Sequence, residues 1–142
     1  MKQKIIKRIF TFMADFGSCW GWQIDYYNDG TDSGEVNTAG HYQTDISNDI
    51  ETAKISPVLA RAIYKWQAYF EIYAYDDYCA REEKDFANTK MDWDAWNKAG
   101  IRLAHLLKTQ IGHLFDEFYY DYAIEDKDFQ KVWKLVESLK IK

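Results

Sequence analysis

Residues 55–70 read ISPVLARAIYKWQAYF, and this stretch decides how the chain folds. Ser56 followed by Pro57 is typical of a helix start, because a hydroxyl can cap the first turn and proline fits the first helical position. Apolar residues then recur every three or four positions and predict a helix that runs to about Glu83. Its apolar stripe comprises Leu59, Ile63, Trp66, Phe70, Tyr73 and Ala74.

A second helix is predicted after a polar link over residues 84–90. Its apolar positions again recur at helical spacing, and Gly112 suits its end. These positions are Trp93, Trp96, Gly100, Leu103, Leu107 and Ile111. Two helices joined by a short link are expected to pack as an antiparallel pair.

The segments on either side of the helix pair have the composition of strands. Residues 4–16 are rich in Ile, Phe and Thr, and residues 17–18 form a turn signal before an alternating segment over residues 22–27. Residues 28–48 are rich in Gly, Asp, Asn and Thr, which predicts a long loop with a short strand near residues 41–46.

After the second helix, residues 115–122 are aromatic and poor in helix formers, which predicts another strand. A final helix is expected over residues 126–139, with Phe129, Val132, Trp133 and Val136 on one face. The order of elements predicts an α+β fold in which a small, mostly antiparallel sheet packs against an antiparallel helix pair and a C-terminal helix. We expect residues 1–142 to form a single domain.

The composition is that of an acidic globular protein. Of 142 residues, 47% are hydrophobic and 18% aromatic, and the net charge is −5. A direct nucleic-acid ligand is not expected, because phosphates require a basic face, but an acidic surface attracts a basic protein. No apolar segment has the length of a membrane span. The basic start is interrupted by Asp15, and Cys19 and Cys79 have no metal-type spacing, so a cytoplasmic protein is predicted.

Motifs for catalysis, metals and cofactors are not found in the sequence. Gly17-Ser18-Cys19 lacks the context of a nucleophile turn, and His41, His105 and His113 are scattered. Residues 28–35 contain several carboxylates but do not match a calcium-binding loop. We therefore expect a protein that is not an enzyme and that has no cofactor and no metal.

Charge segregation is the most unusual feature of the chain. No Lys or Arg occurs between Ile9 and Ala53, whereas carboxylates and aromatic rings are interleaved there. A second acidic and aromatic group follows the helix pair. One interpretation is a solvated loop. The other is a partner-binding surface, in which carboxylates steer a basic partner and rings anchor it. The candidate contacts are Asp15, Trp20, Trp22, Asp25, Tyr26, Asp29, Asp32, Glu35, Asp116, Glu117, Tyr119 and Asp121.

In its size, acidity and aromatic excess, the whole chain resembles the immunity proteins of bacterial toxin–immunity systems, such as contact-dependent inhibition and polymorphic toxin systems. That resemblance implies a cytoplasmic protein that binds and neutralises a cognate toxin domain, which the acidic surface suggests is basic and nuclease-like. Two alternatives remain open. The first is a phage-type inhibitor that mimics nucleic acid against a host defence nuclease. The second is a small ligand-binding domain or enzyme, which would require a deep pocket with convergent polar groups.

Overall fold

A computed structural model describes residues 4–15, 19–28, 32–39, 55–82, 92–126 and 131–142. Within these ranges the sheet contains five strands, and two described helices lie in the chain between the third and fourth of them. In chain order the elements are β1 (Ile5–Asp15), β2 (Cys19–Tyr27), β3 (Asp32–Ala39), α1 (Pro57–Glu82), α2 (Trp93–Ile111), a short 3-10 turn (Gly112–Leu114), β4 (Glu117–Asp126) and β5 (Lys131–Lys140).

The strands lie in the order β3-β2-β1-β4-β5. β1 pairs with β4 in parallel, and every other neighbouring pair is antiparallel. A parallel pair requires a long crossover connection, and the helix pair supplies it. The predicted α+β class is therefore confirmed, with a mixed sheet that is mostly antiparallel.

The predicted C-terminal helix is wrong, because residues 131–140 form strand β5 instead. The apolar residues of this segment fit helical spacing, but the segment is also rich in Val and Leu. In the structure it pairs with β4, from Tyr119 opposite Lys140 to Asp126 opposite Lys131. Pairing with a neighbouring strand thus overrides a local helical pattern, as tertiary context commonly does.

The long loop predicted over residues 28–48 is also partly wrong, because Asp32–Ala39 is strand β3. Its Gly, Asp and Asn residues are poor strand formers, but β3 lies at the edge of the sheet and pairs with β2 through register positions such as Glu35 opposite Ile24. The short strand expected near residues 41–46 lies outside the described residues.

The two predicted helices are confirmed, and each begins with a side-chain cap, of which only the Ser56 cap was predicted. The Ser56 hydroxyl accepts a hydrogen bond from the Leu59 amide at 3.3 Å, and the Asp92 carboxylate accepts one from the Ala95 amide at 3.0 Å. Such caps satisfy amides that have no partner within the helix. The Ser56 amide at the start of α1 also donates to the Gln110 side chain near the end of α2, at 2.7 Å. The helices are therefore antiparallel.

The helix pair is joined by two stacked tryptophans. The rings of Trp66 and Trp96 lie 4.1 Å apart and 9° from parallel. Each indole nitrogen donates to the main-chain oxygen of the other residue at 3.1 Å. Phe12 of β1 stacks on Trp66 at 4.9 Å, which connects the pair to the sheet. Aromatic contacts of this kind add stability beyond the area that they bury.

Close packing of α2 on the sheet depends on Gly100. A Cβ at this position would lie 2.4 Å from the hydroxyl oxygen of Tyr120 and 2.7 Å from Cζ2 of Trp66. Tyr120 is itself fully buried and donates to the Asn97 side chain at 2.7 Å. Burial raises the pKa of the Tyr120 hydroxyl, which keeps it a neutral donor.

Candidate functional site

The sheet has two faces with different surroundings. Residues directly opposite each other on neighbouring strands point to the same face. Phe10 and Phe12 of β1 lie opposite Phe118 and Tyr120 of β4, and these four rings are buried beneath the helix pair. We call this side the inner face.

The other side, which we call the outer face, carries the residues that alternate with these buried positions along each strand. Across the centre of the sheet, Thr11 lies opposite Trp22 on one side and Tyr119 on the other. Ile9 likewise lies between Ile24 and Glu117. The outer face is made of Lys7, Ile9, Thr11, Trp22, Ile24, Tyr26, Glu117, Tyr119, Asp121, Ser138 and Lys140.

Three aromatic rings of the outer face are half-buried. They belong to Trp22, Tyr26 and Tyr119. Because neighbouring strands are about 4.8 Å apart, Trp22 and Tyr119 stand about 10 Å from each other with Thr11 between them. Both helices that the structure describes pack on the inner face. The outer face therefore presents a broad, partly apolar platform, and such half-exposed Trp and Tyr residues are enriched among binding hot spots.

The centre of the platform is bordered by a three-member charge cluster. Glu117 lies 3.0 Å from the Lys7 amine and 3.4 Å from the Lys140 amine. The hydrogen bond from Lys7 is the main reason that the pKa of Glu117 is lowered, and the same bond raises the pKa of Lys7. Glu117 is thus held ionised but its charge is shared by two lysines. The acidic patch expected here is locally balanced.

Asp121 lies two residues further along β4 and has different surroundings. The Ser138 hydroxyl of β5 donates to its carboxylate. Burial nevertheless raises the pKa of Asp121, because the hydrogen bond offsets only part of the desolvation. The pKa values of two carboxyls on the same face of β4 are therefore shifted in opposite directions.

Two predicted contact residues are wrong as surface anchors. Trp20 is 2% exposed and packs on Phe10 and Phe12 in the core. Asp25 is 9% exposed on the inner face, where Arg8 holds its two carboxylate oxygens at 2.9 and 3.2 Å. The buried Gln23 side chain donates to the same carboxylate at 2.8 Å. The charge of Asp25 is therefore paired with Arg8 inside the fold.

Asp116 is exposed, but its carboxylate has a structural contact. It accepts a hydrogen bond from the Arg8 amide at 2.6 Å, and the Asp116 amide donates to the Arg8 carbonyl at 2.7 Å. These bonds begin the parallel pairing of β1 with β4. Asp116 thus helps to fix the register of β4 against β1 and also contributes a charge to the surface.

The remaining predicted contacts come from the end of β1, from β3 and from the segment between β2 and β3. Asp15 is the last residue of β1, and Asp32 and Glu35 belong to edge strand β3. Asp29 lies outside the described residues. The structure therefore brings Trp22, Tyr26, Glu117, Tyr119 and Asp121 together on the outer face. The pairing of β3 with β2 puts Asp32 opposite Tyr26 and Glu35 opposite Ile24, at the edge of that same face.

Charge nevertheless varies from one edge of the sheet to the other. β3 carries Asp32 and Glu35 without any Lys or Arg, whereas β5 at the opposite edge carries Lys131, Lys134 and Lys140 against Glu137 alone. By its sequence, therefore, β3 is an acidic edge strand and β5 a basic one, and the aromatic platform lies between them. A charged partner would be oriented by such a gradient.

Several residues of the outer face were missed by reasoning from sequence. Ile9 and Ile24 complete the apolar centre, and Lys7 and Lys140 complete the charge cluster. The alternation of Lys7, Ile9 and Thr11 with buried Phe10 and Phe12 is a signal that could have identified them. It becomes useful only when the strand partners are known.

The described residues contain neither a metal-binding cluster nor a membrane-spanning helix. No group of His, Cys, Asp and Glu that could hold a metal ion is present in the described part of the chain. Within those same ranges, no helix has both the length and the apolar character needed to span a membrane. Comparison with protein-family models, with curated proteins and with solved structures found no match.

Proposed function

We propose that this protein is an immunity-type inhibitor that binds and neutralises a basic, nuclease-like toxin domain. The observation that carries the proposal is the outer face, where Trp22, Tyr26 and Tyr119 stand half-buried on a rigid sheet. Protein interfaces combine aromatic anchors with a polar rim. Here Ile9 and Ile24 extend the apolar centre, and the cluster of Lys7, Glu117 and Lys140 forms part of the rim.

The charge gradient supports a basic partner. The edge formed by β2 and β3 belongs to the segment without Lys or Arg, and the whole chain has a net charge of −5. Such an edge attracts a cationic protein and speeds its association. The aromatic platform then supplies apolar contacts that slow its dissociation. The proposal assigns steering to the acidic edge and affinity to the outer face.

The position of the surface on a sheet also favours a binding role. Backbone hydrogen bonds to both neighbours fix β1 and β4, so the rings attached to the outer face lose little freedom when a partner is bound. Trp and Tyr also have few rotatable bonds for the area that they offer. The platform is thus preorganised for recognition of another protein.

The test begins with capture of partners by the tagged protein from cells that encode it, at low and at high salt. The purified protein is then added to the captured partner in an assay of nuclease activity. We expect a basic polypeptide, bound in equal stoichiometry, whose activity is abolished. Capture of a partner whose activity is unchanged would contradict inhibition, and no captured partner at either salt would contradict the binding role.

Matched variants distinguish the contribution of the outer face from that of the acidic edge. Trp22→Ala with Tyr119→Ala should weaken binding by roughly 100-fold or more, mainly through faster dissociation. Asp32→Lys with Glu35→Lys should slow association by roughly 10-fold at low salt and have little effect at high salt. Lys98→Gln, an exposed change on α2, is the control for both. Equal binding by the aromatic variant and the control would place the interface elsewhere.

A further inference from the structure

A groove on the solvent side of the helix pair has the features of a separate ligand site. It has a volume of about 520 Å³ and is lined by residues of α1 and α2 and by the cap residue Asp92. The stacked pair Trp66 and Trp96 forms its floor, and both residues are nearly inaccessible, at 6% and 5% exposure. Pockets for small ligands typically have volumes of about 300–1,000 Å³ and mostly apolar linings.

Small side chains keep this groove open. Ala62 on α1 faces Ala95 and Ala99 on α2 across the tryptophan floor. A larger residue at any of these positions would occupy the space. The two tryptophans stack face to face and are fixed by two reciprocal hydrogen bonds at 3.1 Å, so the floor of the groove is rigid.

The charged residues that border the groove differ from one end of it to the other. Trp66 of α1 lies beside Trp96 of α2, and Phe70 contacts Trp93. Because the two helices are antiparallel, Arg102 of α2 lies closer to the start of α1, near the level of Ala62. Lys65 and Arg102 therefore border the same half of the groove, and Asp92 and Tyr69 border the other half. Among the residues that the structure describes, no ion pair connects Lys65 or Arg102 to a carboxylate. An acidic protein thus has a cationic site beside an apolar floor.

We propose that this groove binds a small organic anion with a flat apolar body, such as an aromatic carboxylate. The apolar body of the ligand lies against Ala62, Ala95 and Ala99, above the stacked tryptophan pair, and its anionic group lies between Lys65 and Arg102. The groove volume fits a small molecule. Asp92 at the far end disfavours a long acidic segment, which would place carboxylates along the whole groove. This site uses residues of the helix pair alone and does not depend on the proposed interface of the outer face.

Two probes of equal shape test the charge requirement. 2-Naphthoate carries a carboxylate, whereas 2-naphthamide is neutral. Binding is measured by calorimetry and by NMR shifts of the Trp66 and Trp96 indole N–H groups. From the affinity that small ligands reach per atom, we expect a Kd on the order of 1 mM or lower for 2-naphthoate. A partly exposed ion pair predicts that the amide binds roughly fivefold more weakly.

Three exposed substitutions locate the site. Arg102→Gln should remove the preference for the carboxylate, and Ala99→Leu should abolish binding of both probes by filling the groove. Lys98→Gln removes a neighbouring cation that is paired with Asp94 at 3.1 Å and does not line the groove, so it should leave both affinities unchanged.

The outcomes decide the proposal in either direction. Saturable binding of 2-naphthoate that Arg102→Gln and Ala99→Leu weaken, and that Lys98→Gln preserves, supports it. The proposal is overturned by an absence of saturable binding at several millimolar probe. It is also overturned if Lys98→Gln and Arg102→Gln weaken binding equally, or if the two indole signals stay in place while the probe binds elsewhere.

Discussion

The two faces of the sheet use the same residue types for opposite purposes. On the inner face, Phe12 and Tyr120 are fully buried and pack against Trp66 of the helix pair. On the outer face, Trp22 and Tyr119 remain half-exposed. One step along a strand changes a ring from a core element to a surface element. Aromatic content by itself therefore cannot distinguish a large core from a binding surface, whereas strand register can.

The faces also differ in their use of charge. On the inner face, the ion pair of Arg8 with Asp25 is largely enclosed and supported by Gln23. On the outer face, Glu117 is shared by Lys7 and Lys140, whose side chains are about half-exposed. Enclosed pairs fix geometry strongly, whereas exposed pairs contribute little stability and can exchange partners. The outer face is thus the side on which charges can be rearranged by a bound protein.

The largest expected difference between the faces is in stability. Trp96→Ala removes the stacked ring and the indole hydrogen bond to the Trp66 carbonyl, which keeps its partner within the helix. We expect the free energy of unfolding to fall by roughly 3–5 kcal/mol. Trp22→Ala on the outer face should cost less, about 1–2 kcal/mol, since part of its ring is already in water. Urea unfolding of both variants measures the contrast, and equal losses would show that the two faces are not distinct.

A smaller effect is expected where α2 approaches the inner face. Gly100→Ala would improve an exposed helix by about 1 kcal/mol, but here the added methyl group meets Tyr120 and Trp66. Overpacking costs about 1–3 kcal/mol, so we expect a net loss of roughly 1 kcal/mol. Thermal or urea unfolding gives the value. The loss should shrink in a Tyr120→Phe background, which removes the closest atom, and an increase in stability on Gly100→Ala alone would contradict the close approach.

The smallest effect concerns two carboxyls of the outer face. Hydrogen bonding by Lys7 should place the pKa of Glu117 below its ordinary value of 4.5, whereas burial should place that of Asp121 above its ordinary 3.8. The contribution of Glu117 to stability is present above its unfolded-state pKa and is lost as pH falls through the folded pKa. That of Asp121 is present below its unfolded-state pKa and is lost as pH rises through the folded pKa.

Carboxyl NMR titration measures both values. Lys7→Gln should raise the pKa of Glu117 and leave that of Asp121 in place, and Ser138→Ala should raise the pKa of Asp121 further. A shift of both wild-type carboxyls in the same direction would contradict this description of the outer face.

The elements that sequence reasoning predicted correctly have local signals. Ser56 and Pro57 start α1, helical spacing defines α2, and the aromatic run before residue 122 indicates β4. β3 and β5 were predicted wrongly because their structure depends on a neighbouring strand. A polar edge strand resembles a loop, and an apolar edge strand with mixed spacing resembles a helix.

The candidate surface depends on strand pairing for the same reason. Trp22 and Tyr26 were predicted as contacts in one segment and Tyr119 in another, and only the pairing of β1 with β2 and β4 puts them on one face. Trp20 and Asp25 belong to the inner face. Residues two positions apart share a face only where the strand is regular, and the pairing of β1 with β2 shifts register between Phe12 and Asp15. The cations of the outer face, Lys7 and Lys140, come from opposite ends of the chain, and only the parallel pairing unites their strands.

That parallel pairing also sets an order of events during folding. β1 is the central strand, yet Arg8 and its partner Asp116 are separated by 108 positions. β1 can form a hairpin with β2 early, but its other edge has to wait for β4, which follows the helix pair in the chain. Distant pairings slow folding, and an unpaired edge is open to other chains in the meantime. β1, the first of the described strands in the chain, therefore keeps one unpaired edge until β4 has been made.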